Sequence, residues 1–306
     1  MISTRLKKMR FQFLLFLFCV FSVSEMNAKA LRVVTTTEDI ASIARFIGKD
    51  RVEVTALVRG AQDPHYIQVR PSDMIKVSRA DLLVIVGLGL DGWILPVIDG
   101  ARNPGVRIGA RGFLDASSGI ELLEVPTGKV DRSLGDVHPQ GNPHYWLDPS
   151  NGKIIAKNIM ESLSLVQPSE REFFKENFEE FSKKLDQAII HWKEELAFFK
   201  GKQVITYHTT WSYFLKAFGA NARNYVEIRA GVPASPKHLQ ELISQIKKEK
   251  IDLIITEPYF DIRLPEKIAA SSQARLRVLA PSVGAFAQIK DYFDLFEYNI
   301  QELLRL

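Results

Sequence analysis

The stretch PSEREFFKENFEEFSKKLDQAIIHWKEELAFFKG, residues 168–201, predicts one long amphipathic helix. Its apolar residues recur at steps of three and four, so they share one face that packs against a core. These residues are Phe174, Phe178, Phe181, Leu185, Ile189, Trp192, Leu196 and Phe199. Ser169 and Glu172 have the spacing of a capping box, and Gly201 is typical just past a helix end. At 1.5 Å per residue, the predicted helix is roughly 45 Å long.

Short apolar strands alternate with helical segments on both sides of this helix. Before it, the predicted strands are LRVVTTT, VEVTALV, DLLVIVG and VRIG, with EDIASIARFIG and PSDMIKVSRA as helices between them. Residues 113–143 are irregular, and Asp148 with Pro149 then begins a further helix. After it come the strands KQVITYH, IDLIIT and LRVLA, with four helical segments. Such alternation predicts parallel sheets covered on both faces.

The domain organisation follows from the position of the long helix. No linker rich in Gly or Ser separates the two halves, so the helix is the predicted connector. We expect an α/β fold with two lobes, each built on a parallel sheet, joined by a long rigid helix. The predicted borders are 31–168 for the N-terminal lobe, 169–200 for the connecting helix and 201–306 for the C-terminal lobe.

Residues 1–30 have the pattern of a secretory signal peptide. The basic start RLKKMR precedes the apolar run FQFLLFLFCVFSV, and Ala28-Lys29-Ala30 offers small residues for cleavage after Ala30. A membrane anchor is the alternative, but the run is shorter than the ~20 residues that a membrane span needs. Lipidation of Cys19 is disfavoured because its neighbours are bulky. We therefore expect a periplasmic protein.

Charge and cysteine content exclude several functions. Residues 1–30 hold five basic residues and one acidic residue, and the rest of the chain has 35 of each, without a basic stripe. Nucleic acid is therefore not an expected partner. The only cysteine is Cys19, so a chain cleaved after Ala30 contains no thiol. Any metal site must then use His, carboxylate or other oxygen ligands.

Three of the six histidines follow predicted strands. His65 comes after VEVTALV, His144 ends the long irregular loop, and His208 ends KQVITYH. Ligands of open α/β sheets bind beyond the carboxyl ends of the strands, so a site between the lobes is expected. A single histidine at such a place is more often structural. Three together, two of them in matching Pro-His-Tyr settings, favour a metal site, since neutral imidazole is a common metal ligand.

The remaining candidates carry weaker signals. His191 and His238 lie within predicted helices and are expected to be packed or solvated. His138 is either a transient ligand or a plain loop residue, and the second interpretation is favoured. Glu257 follows the strand IDLIIT and is the carboxylate that would complete a tetrahedral set. Its alternatives are a helix N-cap or a salt-bridged loop residue.

Several motifs resemble one family over residues 31–306. They are DPH, PSD followed by SRADLLVIVGLGLDGW, NPHYWLDP, ITYHTTWSYF and IITEPYF. They are similar to the metal-binding substrate-binding proteins of zinc and manganese ABC transporters, the cluster A-I group. The resemblance implies two α/β lobes, a rigid connecting helix and one divalent metal in the cleft. It also implies two His ligands from the first lobe, then a His or Glu, then an acid. His65, His144 and His208 match the first three.

The chain departs from this family at two places. The acidic fourth ligand commonly lies in the turn LAPSVGA, residues 279–285, where this chain has Pro281 and Ser282. The His-rich acidic loop of many zinc members is missing, and His138 is its only candidate remnant. Glu257 is therefore the predicted fourth ligand, with a water or hydroxide as the alternative.

The predicted function is capture of one Zn²⁺ and its delivery to the permease of an ABC transporter. Three imidazoles favour Zn²⁺ over Mn²⁺, which is the alternative. No GxxxxGK[ST] loop occurs, so a separate ATPase would supply the energy. We expect a monomer that is not an enzyme. A secreted zinc hydrolase with Glu257 as general base is the rival, but no HExxH pair is present. A metal-binding adhesin is the third interpretation.

Overall fold

The computed structural model describes residues 29–128, 138–227 and 231–305. The first lobe consists of β1 (Leu31–Thr35), α1 (Glu38–Gly48), β2 (Val52–Ala56), α2 (Pro71–Ser78), β3 (Leu82–Ile85), α3 (Leu95–Ala101), β4 (Phe113–Asp115) and α4 (Pro149–Val166). Helix α5 (Arg171–Glu195) follows. The second lobe consists of β5 (Gln203–Thr206), α6 (Ser212–Ala217), β6 (Asn221–Tyr225), α7 (Pro236–Glu249), β7 (Leu253–Thr256), α8 (Arg263–Ser272), β8 (Arg275–Val278) and α9 (Tyr292–Leu304).

The two sheets have the same topology. Their strand orders are β2-β1-β3-β4 and β6-β5-β7-β8, and all ladders are parallel. In each sheet the chain places its second strand on one side of the first and its third strand on the other. Ligands of such sheets bind at this reversal of strand order, beyond the carboxyl ends of β1 and β3 or of β5 and β7. The predicted α/β fold with two parallel sheets is therefore confirmed.

One continuous apolar core lies under both sheets. Alternate residues of the strands face opposite sides, so Val33 joins the shared core while Val34 faces α2 and α3. In the second sheet, Leu253 and Ile255 join the same shared core, and Ile254 packs under α7 and α8. Residues Leu31–Leu306 form one compact unit. A core without a break between the sheets resists large hinge movements of the lobes.

Helix α5 closes this core, and its predicted stripe is confirmed. Phe181 packs edge-on against Phe46 of α1, with ring centroids 5.1 Å apart, and Trp192 stacks on Phe296 of α9 at 5.0 Å. The other members of the stripe are buried or half-buried in the same cluster. Because α5 contacts elements on both sides of the chain, it ties the two lobes together.

The predicted ends of this helix were wrong. Pro168–Glu170 forms a 3₁₀ turn, α5 begins at Arg171, and no side-chain hydrogen bond caps it. Ser169 lies inside that turn and is not at the N-cap, so the capping box does not form. At the other end, α5 stops at Glu195 and a second 3₁₀ turn, Ala197–Phe199, keeps Phe199 buried. The 25 residues of α5 span about 38 Å.

Direct contacts also join the lobes near the strand ends. Trp146 Nε1 donates a hydrogen bond to the carbonyl oxygen of Pro281 at 2.9 Å. Asp39 accepts hydrogen bonds from Ser282 Oγ at 2.5 Å and from the backbone N–H of Val283 at 2.9 Å. All these groups are largely shielded from water, so the loop after β8 is fixed against the first lobe.

Two edge strands were not predicted. The segment VRIG, predicted as a strand, is a turn, and the fourth strand of the first sheet is β4, inside the region predicted to be irregular. Strand β6, with the sequence NARNY, was missed because it is polar. Both strands lie at sheet edges, where one side is unpaired and apolar residues are not required.

The described part of the chain leaves two predictions open. Residues 1–28 of the predicted signal segment lie outside the described residues. Among the described helices, none combines the length and apolar character that crossing a membrane requires. The domain borders at 168/169 and 200/201 stay predictions.

Candidate metal centre

His65 and His144 are held by the same local turn, in which an Asp or Asn lies two residues before the histidine. Asp63 Oδ1 accepts a hydrogen bond from the backbone N–H of His65 at 3.0 Å and lies 2.7 Å from Nδ1 of its ring. Asn142 Oδ1 makes the same two contacts with His144, both at 2.9 Å. An oxygen beside Nδ1 accepts its proton, so Nε2 of each neutral ring carries the free lone pair.

The Nε2 atoms of these two rings are buried and have no hydrogen-bond partner among the described residues. An unpartnered buried nitrogen is unfavourable unless a ligand completes it. Each of these two histidines has a Pro before it and a Tyr after it. The informative residues are Asp63 and Asn142, whose side chains aim the rings, and the repeated Asx-Pro-His pattern was the signal for them.

His208 reaches the cluster from the other lobe. It lies two residues beyond β5, the strand at which the order of the second sheet reverses. Thr206 Oγ1 donates a hydrogen bond to the carbonyl oxygen of His208 at 2.7 Å, which fixes the backbone there. Its Nδ1 lies 3.7 Å from Glu227 Oε2. Glu227 was missed in the sequence because β6, the strand before it, was missed.

The three predicted histidines converge. One ligand atom from each of His65, His144 and His208 lies within 4.8 Å of the other two. The ring centroids are 5.1, 5.5 and 5.6 Å apart. A tetrahedral zinc with bonds of about 2.0–2.1 Å places its nitrogen ligands about 3.4 Å from one another, so small rotations of the rings suffice.

Burial keeps two of these rings neutral. It lowers the pKa of His144 well below 6.5, and the neighbouring histidines lower it further. Burial and the proximity of His65 lower the pKa of His208 to about 3. Neutral imidazole is the form that binds metal ions, so both rings are ready to bind at neutral pH.

Two carboxylates, those of Asp63 and Glu227, lie beside the imidazole rings. Burial raises the pKa of Asp63, but the hydrogen bonds from the ring and the backbone of His65 outweigh it, so the net pKa lies below 3.8. Asp63 is therefore ionised at neutral pH. Burial raises the pKa of Glu227 above 4.5. Asp63 therefore supplies negative charge next to the imidazoles, which favours a cation between the rings.

Glu257 lies directly beyond β7 and is 1% exposed. It is outside the group of ligand atoms within 4.8 Å of one another. Neither carboxylate oxygen has a hydrogen-bond partner in regular geometry among the described residues. Burial raises its pKa to about 8, and the nearby Thr210 hydroxyl offsets only part of this. Among the described residues Glu257 has no basic partner, so the salt-bridge alternative has no support. The role of Glu257 as a metal ligand stays a prediction.

The other three histidines differ in their distance from the cluster. His191 is exposed on α5 beside Glu195. His238 is buried near the start of α7, with Nε2 2.9 Å from the carbonyl oxygen of Tyr225. His138, for which the loop interpretation was favoured, lies beside the cluster, with its ring centroid 5.3 Å from that of His65.

The cavity next to the cluster is small. Its volume is about 30 Å³, and its lining includes Asp63, His65, His208 and Glu227. A single water needs a cavity volume of about 10–15 Å³, so this cavity suits an ion and one or two waters. An organic substrate does not fit beside the histidines in this conformation. The place where the resemblance puts an acid holds Ser282, whose hydroxyl is committed to Asp39.

Two parallel α/β lobes, a rigid connecting helix and a buried histidine cluster between the strand ends define a two-lobed binding protein for a metal ion. The chain belongs to the family described as zinc-uptake complex component A, periplasmic (ZnuA), whose family model matches residues 33–305. The resemblance seen in the sequence motifs is therefore confirmed.

Relatives extend over nearly the whole chain. The manganese ABC transporter substrate-binding lipoprotein PsaA of Streptococcus mitis is 26% identical over 314 residues, covering 97% of this chain and 98% of that protein. A zinc-bound crystal structure of a ZnuA deletion mutant has a TM-score of 0.75 at 24% identity and covers 90% of this chain and 97% of its own. The manganese-bound periplasmic metal-binding protein of Candidatus Liberibacter asiaticus has a TM-score of 0.74 at 23% identity, with coverage of 90% and 98%. These structures share the fold.

Proposed function

We propose that this protein captures one zinc ion outside the cytoplasm and delivers it to the membrane permease of an ABC transporter. The observation that carries the proposal is the convergence of three imidazoles from both lobes, with ligand atoms within 4.8 Å of one another. Family membership supports the transport role. The ion is cargo, and in this role the chain has no catalytic task. The small cavity favours this role over the hydrolase interpretation.

Zinc is the metal we propose, because nitrogen ligands bind Zn²⁺ much more tightly than Mn²⁺. Manganese is the second candidate, and a specific observation supports it. The streptococcal relatives PsaA are named as manganese-binding. Carboxylate ligands suit manganese better than imidazoles do. The choice therefore depends on how much carboxylate character the site has when the ion is bound.

The proposed ligands are His65, His144 and His208, with Glu257 as the fourth. Glu257 directly follows β7, and His208 lies just beyond β5, the neighbouring strand, so both face the same reversal point of the second sheet. Glu257 is 1% exposed, and its carboxylate has no basic partner among the described residues, which supports a role toward a cation. Since it lies outside the group of three histidines, its side chain must turn toward the ion when the ion binds.

We further propose a periplasmic monomer with residues 1–30 as signal peptide and lobes bordered at 31–168 and 201–306 around helix 169–200. A lipid anchor at Cys19 is the alternative, since streptococcal relatives are named lipoproteins. Mass spectrometry of the protein recovered from cells separates the two. A chain beginning at residue 31 supports the signal peptide, and a lipid on Cys19 contradicts it.

The test of function is titration of the purified chain with Zn²⁺ and Mn²⁺ by calorimetry. We expect one zinc per chain and displacement of manganese by zinc. At a free zinc concentration 100 times the dissociation constant, the native state gains about 2.7 kcal/mol, so the melting temperature rises. His191→Ala is the matched control, because His191 is an exposed histidine outside the cluster. A chain that binds neither metal would contradict the proposal.

A further inference from the structure

The side chain of Asn142 is fully hydrogen-bonded. Its Oδ1 atom faces the backbone N–H and the Nδ1 atom of His144, both at 2.9 Å. The two hydrogens of its amide go to Glu124 Oε2 at 2.9 Å and to the carbonyl oxygen of Thr209 at 2.8 Å. The backbone carbonyl oxygen of Asn142 accepts from the Tyr213 hydroxyl at 3.0 Å. Thr209 and Tyr213 belong to the second lobe, so Asn142 lies where the two lobes meet.

These partners fix which way the amide of Asn142 points. Glu124 Oε2 and the carbonyl oxygen of Thr209 are both acceptors, so only the Nδ2 end of the amide can face them. The Oδ1 end is then left for His144, whose Nδ1 must carry the proton. A turned amide would present an N–H to Nδ1 and move that proton to Nε2, and a protonated Nε2 cannot bind a metal ion. The free lone pair of His144 therefore depends on the acceptors behind Asn142.

Glu124 is the acceptor that joins the two lobes. Its Oε2 accepts from Asn142 of the first lobe, and its Oε1 accepts from the hydroxyl of Ser212, the first residue of α6, at 2.6 Å. Tyr225, at the end of β6, places its hydroxyl 3.5 Å from the same Oε1. The backbone of Glu124 has φ of +53°, a left-handed conformation that residues with a side chain rarely adopt. Such a conformation persists only where its surroundings hold it, and it is frequent at functional positions.

On the basis of the proposed function, we infer that Glu124 is a positioning residue for the zinc site, which keeps the Nε2 lone pair of His144 available while the two lobes are in contact. Asn142 from one lobe and Ser212 from the other donate to the same carboxylate. When the second lobe moves away, Ser212 and Thr209 leave this network, and the amide of Asn142 is free to turn. His144 then loses its aimed lone pair, which favours release of the ion.

Zinc affinities of matched variants, measured by competition with a chromophoric chelator, test this role. Glu124→Ala removes the acceptor and should weaken zinc binding about tenfold, as the loss of an outer partner of a ligand does. Glu124→Gln keeps an oxygen for Asn142 and should bind zinc within about twofold of the wild type. Glu121→Ala is the control, because Glu121 pairs with Lys216 of the second lobe at 2.8 Å without touching Asn142. Equal losses in Glu124→Ala and Glu124→Gln, or no loss in either, would overturn the inference.

The tautomer of His144 in the metal-free protein gives a readout that a purely structural role of Glu124 would not change. Nitrogen-15 NMR distinguishes a ring protonated at Nδ1 from one protonated at Nε2. We expect the Nδ1–H form in the wild type and in Glu124→Gln, and a mixture of both forms in Glu124→Ala. The Nδ1–H form alone in all three chains would overturn the inference.

Two further features keep this test decisive. Glu124→Asp retains the charge but is too short to reach Asn142, so it replaces Glu124→Ala, with the same expected results, if the latter melts early. The NMR comparison needs no zinc. If the wild type binds no zinc, the proposed function fails, and the tautomer of His144 still decides whether Glu124 positions that ring. If the wild type binds zinc and the tautomer does not respond, only the role of Glu124 fails.

Discussion

The two lobes hold their histidines in different ways. In the first lobe, an Asx side chain two residues upstream bonds both the backbone and the ring of His65 and of His144. In the second lobe, His208 follows a strand directly. Its backbone is fixed by Thr206, but the polar partners of its ring are more distant: Glu227 Oε2 lies 3.7 Å from Nδ1, and Thr209 Oγ1 lies 3.4 Å from Nε2. The first lobe thus fixes the direction of the Nε2 lone pairs of His65 and His144. The second lobe leaves the ring of His208 some freedom to rotate.

This difference matters because affinity depends on preorganisation. A ring that is already aimed loses little conformational entropy when the ion binds, whereas an adjustable ring loses more. The continuous core keeps the lobes together, so adjustment is confined to side chains and strand ends. Fixed histidine rings in the first lobe allow strong capture of the ion. An adjustable ring in the second lobe allows its release.

The largest effect is expected from removing an aimed histidine. His144→Ala and His65→Ala should each lower zinc affinity by more than the about 10–100-fold typical for removing an outer partner of a ligand. His208→Ala should cost less, because its ring is less preorganised. Calorimetry with Zn²⁺ measures all three, and thermal melting checks the fold. If His208→Ala proves as harmful as His144→Ala, the two lobes contribute equally and the comparison is wrong.

Sequence patterns predicted the apolar framework of this fold well. The stripe of α5 and the buried strands β1, β3, β5 and β7 have strong periodicity, because burial on one or both faces restricts their residues. Edge strands β4 and β6 were missed, since half-exposed positions accept polar residues. Helix ends were misplaced where a 3₁₀ turn replaced the expected cap.

The candidate site was predictable where a residue type carried the signal. Three histidines at strand ends were found, and they do meet. Asp63 and Asn142 lie next to them in sequence, but their role depends on a turn geometry that periodicity does not reveal. Glu227 lies two residues beyond β6, a strand that was missed, and the ring of His138 lies 5.3 Å from that of His65 although 73 residues separate them in the chain. Sequence distance says nothing about such approaches, because tertiary packing decides them.

The second prediction concerns Glu257 and pH. Its carboxyl keeps a proton up to about pH 8 in the native protein and loses it near 4.5 in the unfolded chain. The native state therefore binds more protons across that window, and the stability of the metal-free protein falls as pH rises, by on the order of a few kcal/mol. Glu257→Gln cannot ionise, so the slope should flatten. Urea unfolding at pH 5 and pH 8 measures it.

Zinc affinity supplies the other half of that test. If Glu257 is the fourth ligand, Glu257→Gln should weaken zinc binding, and the loss should grow from pH 6 to pH 8 as the wild-type carboxyl ionises more easily. Asp39 and Asp91 have pKa values raised by burial to about 7 and about 6, so some slope in stability remains in the variant. Unchanged zinc affinity at every pH would remove Glu257 from the site and leave a water in its place.

The third prediction exchanges the two Asx residues. Asp63→Asn keeps an oxygen for both contacts with His65, so stability should change by less than about 0.5 kcal/mol. It removes a negative charge near the ion, and zinc affinity should fall about tenfold. Asn142→Asp should act on the fold instead. The Nδ2 of Asn142 donates to Glu124 Oε2 at 2.9 Å and to the carbonyl oxygen of Thr209 at 2.8 Å, and a carboxylate there meets only acceptors.

Asn142→Asp should therefore destabilise the protein by about 1–3 kcal/mol, since buried partners lose their donor. Thermal melting of both variants, metal-free and zinc-loaded, measures the exchange. The comparison is broken if Asp63→Asn lowers stability and Asn142→Asp does not. Such a result would mean that the two turns differ in strength for a reason other than the partners of the Asx side chain.

The smallest effect on zinc is expected from Ser282→Ala, in the turn where the sequence resemblance implies an acid that this chain lacks. The Ser282 hydroxyl donates to Asp39, which also accepts from the N–H of Val283. Its loss leaves Asp39 with one donor fewer in a buried place, which costs about 1–3 kcal/mol of stability and raises the pKa of Asp39 further. Zinc affinity should stay unchanged, because the hydroxyl is committed to the contact between the lobes. Zinc titration of Ser282→Ala in parallel with Glu257→Gln measures both affinities. If Ser282→Ala weakens zinc binding as much as Glu257→Gln, the fourth ligand comes from the loop after β8 and not from Glu257 beyond β7.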